Sequence, residues 1–198
     1  MVCDVDEVVL HFVEPLRQLL AENGLRLGDG AFRLHGNVTD RRGERVGHDV
    51  VTGHLERLLL EQERRQYPVD GAAEALATLA AEATVILLTT VPHAHRDARV
   101  RTLASHGIGF PIVTNEGSKG AAIASISHPG PIAFIDDLPF NHRDVREHAP
   151  AAACIQFIAD PVMRAVVPPL PPGVAATESW PEVVDGVRAA FAASAHRL

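Results

Sequence analysis

Lysine is almost absent from this sequence of 198 residues: of its 18 basic residues, 17 are arginine and only Lys119 is lysine. The 25 acidic residues outnumber the basic ones, so the formal net charge is −7. Proteins that bind nucleic acid polymers collect positive charge on one face, and this balance argues against that class. A small anionic ligand is compatible with the sequence if a metal ion or a local positive group offsets the charge.

Cysteine and long apolar runs are also scarce. Cys3 and Cys154 are too few for a disulfide framework, which favours a reducing compartment. No apolar run approaches the roughly 18 residues of a membrane span. Asp4 and Asp6 stand where a signal peptide needs its apolar segment. We therefore expect a cytoplasmic protein that does not associate with a membrane, and the 46% content of hydrophobic residues predicts a compact core.

Four short apolar runs are typical of parallel strands that are buried on both faces. They cover residues 1–3, 84–88, 132–135 and 153–158. Helical patterns lie between and after them, over residues 70–82, 95–106, 118–127 and 143–148. This alternation predicts an α/β fold with a doubly wound parallel sheet, in which ligands bind at the carboxyl ends of the strands.

A long segment between the first two predicted strands interrupts the alternation. It is predicted to contain a helix over 15–23, a hairpin over 31–47 that turns at Arg42 and Gly43, and a charged amphipathic helix over 48–66. Because it is too long for a simple connection, we predict a small cap subdomain at 14–67, inserted into a core domain formed by 1–13 and 68–198. The tail is predicted to begin with a proline-rich linker after residue 160 and to end with a helix over 180–193.

Pairs of acidic residues follow two of the predicted strands. Asp4 and Asp6 form a D-x-D pattern, in which one carboxylate can act as a nucleophile and the other as an acid or base. Asp136 and Asp137 are adjacent, so they raise each other's pKa unless a cation or hydrogen-bond donors compensate. A Mg²⁺ site explains the second pair well. Taken alone, each pair is also typical of a turn or a solvated loop.

Hydroxyl and ammonium groups also occur at the end of a predicted strand and at the start of a predicted helix. Thr89 and Thr90 follow the second predicted strand, where hydroxyls and backbone N–H groups can donate to a phosphate, although threonine there also serves as a cap or turn residue. Lys119 lies in the first turn of a predicted helix, against the preference of the helix dipole for acids. Its compact ammonium suits a position between a carboxylate and a phosphate. An exposed surface lysine is the alternative.

In this order, D-x-D, Thr, Lys and D-D resemble the haloacid dehalogenase superfamily, over about residues 1–160. The resemblance implies a Mg²⁺-dependent phosphomonoesterase that acts on a small phosphorylated substrate. In that family the residue matching Asp4 attacks phosphorus and forms an aspartyl-phosphate. The residue matching Asp6 protonates the leaving group and then deprotonates the hydrolytic water.

The same resemblance assigns roles to the later residues. Thr89, with Thr90 beside it, and Lys119 match the groups that hold the phosphoryl oxygens. Asp137, assisted by Asp136, matches the acid that binds Mg²⁺ together with Asp4 and the backbone carbonyl of Asp6. Asn141 matches a polar residue that orders the loop.

Within the superfamily, the segments DVDEVVLHFVEPL, LLTTVP and ESWPEVVDGV look most like small-cap phosphatases related to the 5′(3′)-deoxyribonucleotidases. This resemblance implies a nucleotide among the candidate substrates and a homodimer. Candidate specificity residues in and beside the cap are Phe12, Arg33, His35 and Arg45, with a solvated hairpin and packing of Phe12 as the alternative interpretations. Two other functions stay open: a catalytically silent binding protein with this fold, and a receiver-type signalling module, whose acidic residues occur in a different chain order.

Overall fold

The computed structural model describes residues 1–126 and 130–195. Residue 127, the predicted end of one helix, and residues 196–198, the end of the predicted core domain, lie outside it. The strands are β1 Val2–Cys3, β2 Arg26–Leu27, β3 Val38–Thr39, β4 Ile86–Thr89, β5 Ile112–Thr114, β6 Ala133–Asp136, β7 Ala153–Phe157 and β8 Ala175–Thr177. Six of them form one sheet in the order β5-β4-β1-β6-β7-β8, and every adjacent pair in it is parallel.

Helices connect and cover these strands. They are α1 Val13–Glu22, α2 His48–Leu60, α3 Gln62–Arg65, α4 Ala72–Ala80, α5 Arg96–Ser105, α6 Lys119–Ala124, α7 Pro139–His148, α8 Pro161–Ala165 and α9 Trp180–Ala195. A short 3-10 helix, His93–His95, precedes α5. Across the two described ranges, no helix combines the length and apolar character that crossing a bilayer requires.

Neighbouring residues of the central strands enter different apolar cores. In β1, Val2 packs into a core with residues of α6 and α7, whereas Cys3 packs into a core with residues of α4 and α9. Phe134 and Ile135 of β6 divide in the same way. Both faces of the sheet are therefore buried by helices, which confirms the predicted doubly wound α/β fold.

The sheet has two strands that the sequence pattern did not predict, and both lie at its edges. Val113, the middle residue of β5, is 46% exposed, and two of the three residues of β8 are exposed. Edge strands of this kind lack the continuous apolar run that marks a buried strand. The proline-rich tail also holds α8, which begins with Asp160 as an N-cap and a proline in the first helical position.

The segment between β1 and β4 differs in detail from its prediction. The single helix predicted over 48–66 is wrong: α2 ends at Leu60 and α3 starts anew at Gln62, turning the chain towards α5 of the core. The turn predicted within 31–47 is present, with Gly43 at φ +81° and a bridge between Thr39 and Arg45. The two-residue ladder, however, pairs β3 with the upstream strand β2.

This inserted segment has an apolar core of its own, which Ile158 and Met163 extend from the main domain. Its two connections to the main domain run side by side: Leu10 bridges Pro68, and the His11 N–H donates to the Tyr67 carbonyl at 2.9 Å. The division into a cap at 14–67 and a core stays a prediction. What the fold provides is a segment that closes over the carboxyl end of the sheet.

Candidate active site

The carboxyl end of β1 is the centre of the site because β1 lies between β4 and β6. Asp4 follows β1 directly, and its N–H donates to the Ile135 carbonyl of β6 at 2.9 Å. Thr89 and Asp136 are the last residues of the two flanking strands. Three residues that lie up to 132 positions apart in the chain are thus gathered at one edge of the sheet.

Lys119 joins two of these acids. Its Nζ atom lies 2.8 Å from Asp4 Oδ1 and 2.8 Å from Asp136 Oδ2, and the side chain is fully buried. Burial by itself lowers the pKa of a lysine, but Asp136 and Asp4 outweigh it, so the pKa of Lys119 lies above its ordinary value. The only lysine of the chain is therefore a buried cation held between two carboxylates.

The first turn of α6 is fixed by α7. Ser118 caps α6 by accepting the Ala121 N–H at 2.8 Å, and its hydroxyl donates to Asp144. Asp144 also accepts the Gly120 N–H at 2.7 Å. A Cβ atom on Gly120 would lie 2.3 Å from the Asp144 carbonyl oxygen, so α6 approaches α7 at a distance that only glycine allows. This close packing sets the position from which Lys119 reaches the acids.

Asp136 is saturated with donors in addition to Lys119. Its carboxylate accepts the Leu138 N–H at 2.8 Å and the Asn141 amide at 2.9 and 3.1 Å. His142 Nε2 donates to the Asp136 carbonyl at 3.0 Å. Asn141 thus orders the loop after β6, in the position that the sequence resemblance assigned to it.

Asp4, Asp136 and Asp137 form an acidic cluster in which one carboxylate oxygen of each lies within 4.8 Å of the others. Burial raises the pKa of Asp4 to about 7 despite the opposing effect of Lys119. Burial and the neighbouring acids Asp136 and Asp4 raise the pKa of Asp137 well above its ordinary value. Three crowded oxygen donors of this kind fit Mg²⁺, a hard cation that would offset their repulsion.

The second acid of the D-x-D pattern, Asp6, is held by a residue that the sequence did not single out. Arg99 of α5 is fully buried, and its two terminal nitrogens lie 2.9 and 3.0 Å from the two carboxylate oxygens of Asp6. The Gln66 amide donates to Asp6 at 2.8 Å from the end of α3. The available signal was the spacing of Arg99, Thr102 and Leu103, which places Arg99 on the buried face of α5.

Glu7 is a second residue that sequence reasoning missed as structural support. It has a left-handed backbone conformation, φ +64°. Its carboxylate accepts the N–H groups of Phe12 and Val13 at the start of α1 and the N–H of Asp160 beyond β7. Burial raises the pKa of Glu7, although these three N–H groups act in the opposite direction. Glu7 therefore ties the turn that carries Asp6 to two distant segments.

The two threonines after β4 have different surroundings. Thr89 is fully buried, and its hydroxyl accepts the Val91 N–H at 3.4 Å. Thr90 is exposed and lines the cavity above the acids. His93, which follows them, lies with Nδ1 2.6 Å from the Thr114 hydroxyl. Thr90 thus lies on the open side of the site and Thr89 is buried at the end of β4, and the binding of phosphate by either threonine stays a prediction.

A cavity of about 330 Å³ opens between the acids and the inserted segment. It is lined by Asp4, Asp6, Glu7, Phe12, Val13, Phe32, Leu34, Leu55, Leu59, Thr90, Val91, Asp137, Leu138, Ile158 and Met163. Phe12 thus lines the cavity, and its role in specificity stays a prediction. The structure does not bring Arg33, His35 or Arg45 to the cavity: Arg33 and Arg45 are exposed, and His35 stacks on His48 at 3.7 Å. Phe32 and Leu34 form the wall instead.

Solved structures resemble this chain in fold at low sequence identity. No protein-family model matches it, and no curated protein matches it significantly. A haloacid dehalogenase-like family hydrolase from Xanthomonas campestris matches with a TM-score of 0.62 and 14% identity, over 98% of this chain and 96% of its own.

Two further solved structures agree. A haloacid dehalogenase-like family hydrolase from Streptococcus pneumoniae matches with a TM-score of 0.61 and 13% identity, over 93% of this chain and 95% of its own. A HAD family hydrolase from Deinococcus radiodurans, with bound phosphate and sodium, matches with a TM-score of 0.55 and 15% identity, over 96% of this chain and 94% of its own. The chain therefore has the haloacid dehalogenase-like fold, as the sequence motifs predicted. The resemblance to deoxyribonucleotidases stays a prediction.

Proposed function

We propose that this protein is a Mg²⁺-dependent phosphomonoesterase that acts through an aspartyl-phosphate on Asp4. One observation carries the proposal: the buried ammonium of Lys119 bridges Asp136 and Asp4, and Asp4 lines a cavity together with Asp6 and Asp137. Phosphoryl transfer depends on positioning and on neutralising charge, and this arrangement supplies both. The fold shared with hydrolases, one of which has bound phosphate, supports the same conclusion.

The residues that would hold Mg²⁺ are Asp4 and Asp137, with the backbone carbonyl of Asp6, and Asp136 would assist them from the same cluster. Bound there, Mg²⁺ would supply positive charge against the oxygens of the transferring phosphoryl group. Lys119 adds a second positive charge from the protein side. Together they explain how a chain with a net charge of −7 can accept an anionic substrate.

The reaction follows in two steps from the roles of two carboxylates. In the first, an oxygen of Asp4 forms a bond to phosphorus as the ester P–O bond breaks, and the leaving oxygen takes a proton from Asp6. In the second, water attacks the same phosphorus and gives a proton to Asp6, which restores Asp4 and releases inorganic phosphate. Arg99 and Gln66 hold Asp6 in the orientation from which it serves both steps.

Hydrolysis of p-nitrophenyl phosphate tests the proposal. We expect activity with Mg²⁺, its loss on chelation, and its loss in Asp4→Asn with the circular dichroism spectrum unchanged. Mass spectrometry of acid-quenched enzyme should show a phosphoryl adduct on the peptide that contains Asp4. A folded, Mg²⁺-loaded protein that is inactive on a broad panel of phosphomonoesters would instead support a catalytically silent binding protein.

The state of the two cysteines agrees with the predicted reducing compartment. Cys3 and Cys154 are both buried as free thiols. Burial raises the pKa of Cys154 to about 11, so the thiol stays protonated and unreactive near neutral pH. These features support the prediction of a reducing, cytoplasmic compartment.

A further inference from the structure

We infer that the substrate is the phosphate monoester of an apolar alcohol, with an aliphatic or aromatic leaving group and no second charge. This inference rests on the proposed function, and it names the substrate class of the same site. It follows from what lines the cavity beyond the acids, since that surface must contact the leaving group.

The cavity is lined by five polar residues and ten apolar ones. The polar lining residues are Asp4, Asp6, Glu7, Thr90 and Asp137. All the other lining residues are apolar, and they come from the inserted segment, from the loop after β4 and from the residues that follow β6 and β7: Phe12, Val13, Phe32, Leu34, Leu55, Leu59, Val91, Leu138, Ile158 and Met163. A phosphate placed against Asp4 would therefore direct its ester group towards aliphatic and aromatic side chains.

Two polar groups of the cavity, Asp6 and Glu7, have little hydrogen-bonding capacity left for a polyhydroxy substrate. Asp6 is engaged by Arg99 and Gln66, and both oxygens of Glu7 accept backbone N–H groups. Each hydroxyl of a sugar would lose its water partners on entering and would face carbon atoms. An unpaired buried hydroxyl typically weakens binding by about tenfold or more. The wall thus discriminates against sugar phosphates.

A second anionic group would be disfavoured for a different reason. Among the lining residues that the structure describes there is no arginine, lysine or histidine. Lys119 is fully buried behind the carboxylates, and Arg33 and Arg45 are exposed on the inserted segment away from the cavity. A carboxylate or a second phosphate on the leaving group would meet the acids Asp6 and Glu7, and Arg99 beside them is already paired with both oxygens of Asp6. Diphosphates and phosphorylated carboxylic acids are therefore poor candidates.

Matched substrates test this inference. Hexyl phosphate and glucose 6-phosphate both carry a six-carbon leaving group, but only the second carries hydroxyls. We expect kcat/KM to favour hexyl phosphate by at least ~100-fold, mainly through KM, because the difference lies in binding of the leaving group. 1-Naphthyl phosphate should exceed dTMP and phosphoglycolate in the same way.

Two neighbouring leucines of α2 provide a matched pair of variants. Leu59 lines the cavity, whereas Leu60 is 72% exposed and does not. Leu59→Asn should reduce the preference for hexyl phosphate over glucose 6-phosphate by about tenfold. Leu60→Asn should leave the ratio unchanged. Circular dichroism spectra equal to that of the unchanged protein show that both variants are folded.

The outcomes separate this inference from the proposed function. If glucose 6-phosphate, dTMP or phosphoglycolate is hydrolysed as well as hexyl phosphate, the inference of an apolar leaving group is wrong and the phosphatase stands. If Leu59→Asn leaves the ratio unchanged, the wall does not contact the leaving group and the inference is wrong. If no ester, including p-nitrophenyl phosphate, is hydrolysed with Mg²⁺, both the proposed function and this inference fail.

Discussion

Arg99 donates one hydrogen bond to each carboxylate oxygen of Asp6, and the two residues are 93 positions apart in the sequence. The guanidinium is fully buried, so this ion pair is part of the interior of the protein and is poorly screened by salt. Gln66 adds a third hydrogen bond from the point where the chain leaves α3. The orientation of Asp6 is therefore set jointly by α5 and by the second connection of the inserted segment.

Arg99→Lys tests whether this ion pair positions the acid. Lysine cannot donate to both carboxylate oxygens in the way that arginine does. The free energy of one charge-assisted hydrogen bond corresponds to a change of about 10- to 100-fold in a rate or equilibrium constant. We expect kcat on p-nitrophenyl phosphate to fall in that range while KM changes little, because the substrate is not touched by Arg99. The control is Arg101→Lys, an exposed arginine of the same helix that pairs with Glu63. A fall in kcat of equal size in both variants would contradict the positioning role.

Asp6→Asn separates the two proposed steps. p-Nitrophenolate leaves without needing a proton, so phosphoryl transfer to Asp4 should continue, whereas hydrolysis of the intermediate loses its base. Stopped-flow absorbance should show a burst of p-nitrophenolate close to the enzyme concentration, followed by turnover that is ~10² to 10⁴ times slower than in the unchanged protein.

An alkyl ester serves as the comparison for that variant. The alkoxide of hexyl phosphate needs protonation, so Asp6→Asn should form no phosphoenzyme from it within the same time. Equal bursts from both esters would show that Asp6 is not the acid. Unchanged steady-state turnover would show that it is not the base either.

The acidic cluster predicts that Mg²⁺ stabilises the folded protein. At a concentration about 100 times the dissociation constant, binding to the folded state adds about 2.7 kcal/mol, which corresponds to a rise in Tm of about 5–10 °C for a domain of this size. Asp137→Asn should reduce the rise strongly because it removes one of the three carboxylates. Differential scanning calorimetry with and without Mg²⁺ measures both effects.

Two controls accompany the Mg²⁺ measurement. Asp97→Asn alters an exposed acid and should keep the full rise in Tm. Without metal, Asp137→Asn should be slightly more stable than the unchanged protein, because crowding of its carboxylate by Asp4 and Asp136 is relieved. If Mg²⁺ raises the Tm of Asp137→Asn as much as that of the unchanged protein, the cluster is not the binding site.

Gly120→Ala and Gly53→Ala should change stability in opposite directions. A Cβ on Gly120 meets the backbone of α7 at 2.3 Å, and overpacking of this kind typically costs about 1–3 kcal/mol, or roughly 3–10 °C in Tm. A Cβ on Gly53, within α2, would meet no described atom within 4 Å, so alanine should stabilise the helix by about 0.5–1 kcal/mol. Thermal unfolding of both variants measures this. An unchanged Tm in Gly120→Ala would show that α6 can move away from α7.

Much of the fold follows from the sequence because burial on both faces leaves a continuous apolar run. The central strands β1, β4, β6 and β7 carry such runs; β4 and β6 end in the polar residues Thr89 and Asp136, and Asp4 follows β1 directly. The edge strands β5 and β8 are half exposed and carry none. Asp4, Asp136 and Lys119 were predictable for the same reason: each follows directly from the end of a strand or the start of a helix.

The remaining parts of the site depend on contacts between distant segments. Arg99 reaches Asp6 only after α5 has packed on the sheet. The sequence pattern of α5 predicts that Arg99 is buried but does not indicate which acid it binds. Phe32 and Leu34 lie in irregular chain, where no periodicity indicates which side chains face inwards. The arginines predicted as specificity residues were conspicuous by charge, but the cavity wall is built from their apolar neighbours.

The central position of β1 also bears on how the protein is made. Val2 pairs with Ile86 on one side and with Phe134 on the other, so the strand that presents Asp4 is synthesised long before either neighbour. The pairing of β1 with β4 can form first, but its pairing with β6 forms only after Phe134 has been synthesised, and the Glu7 carboxylate accepts the Asp160 N–H only later still. Pairings this far apart in sequence are slow to form. Asp4 should therefore be among the last residues to reach its final surroundings, which makes nascent chains ending before β6 a natural target for chaperones.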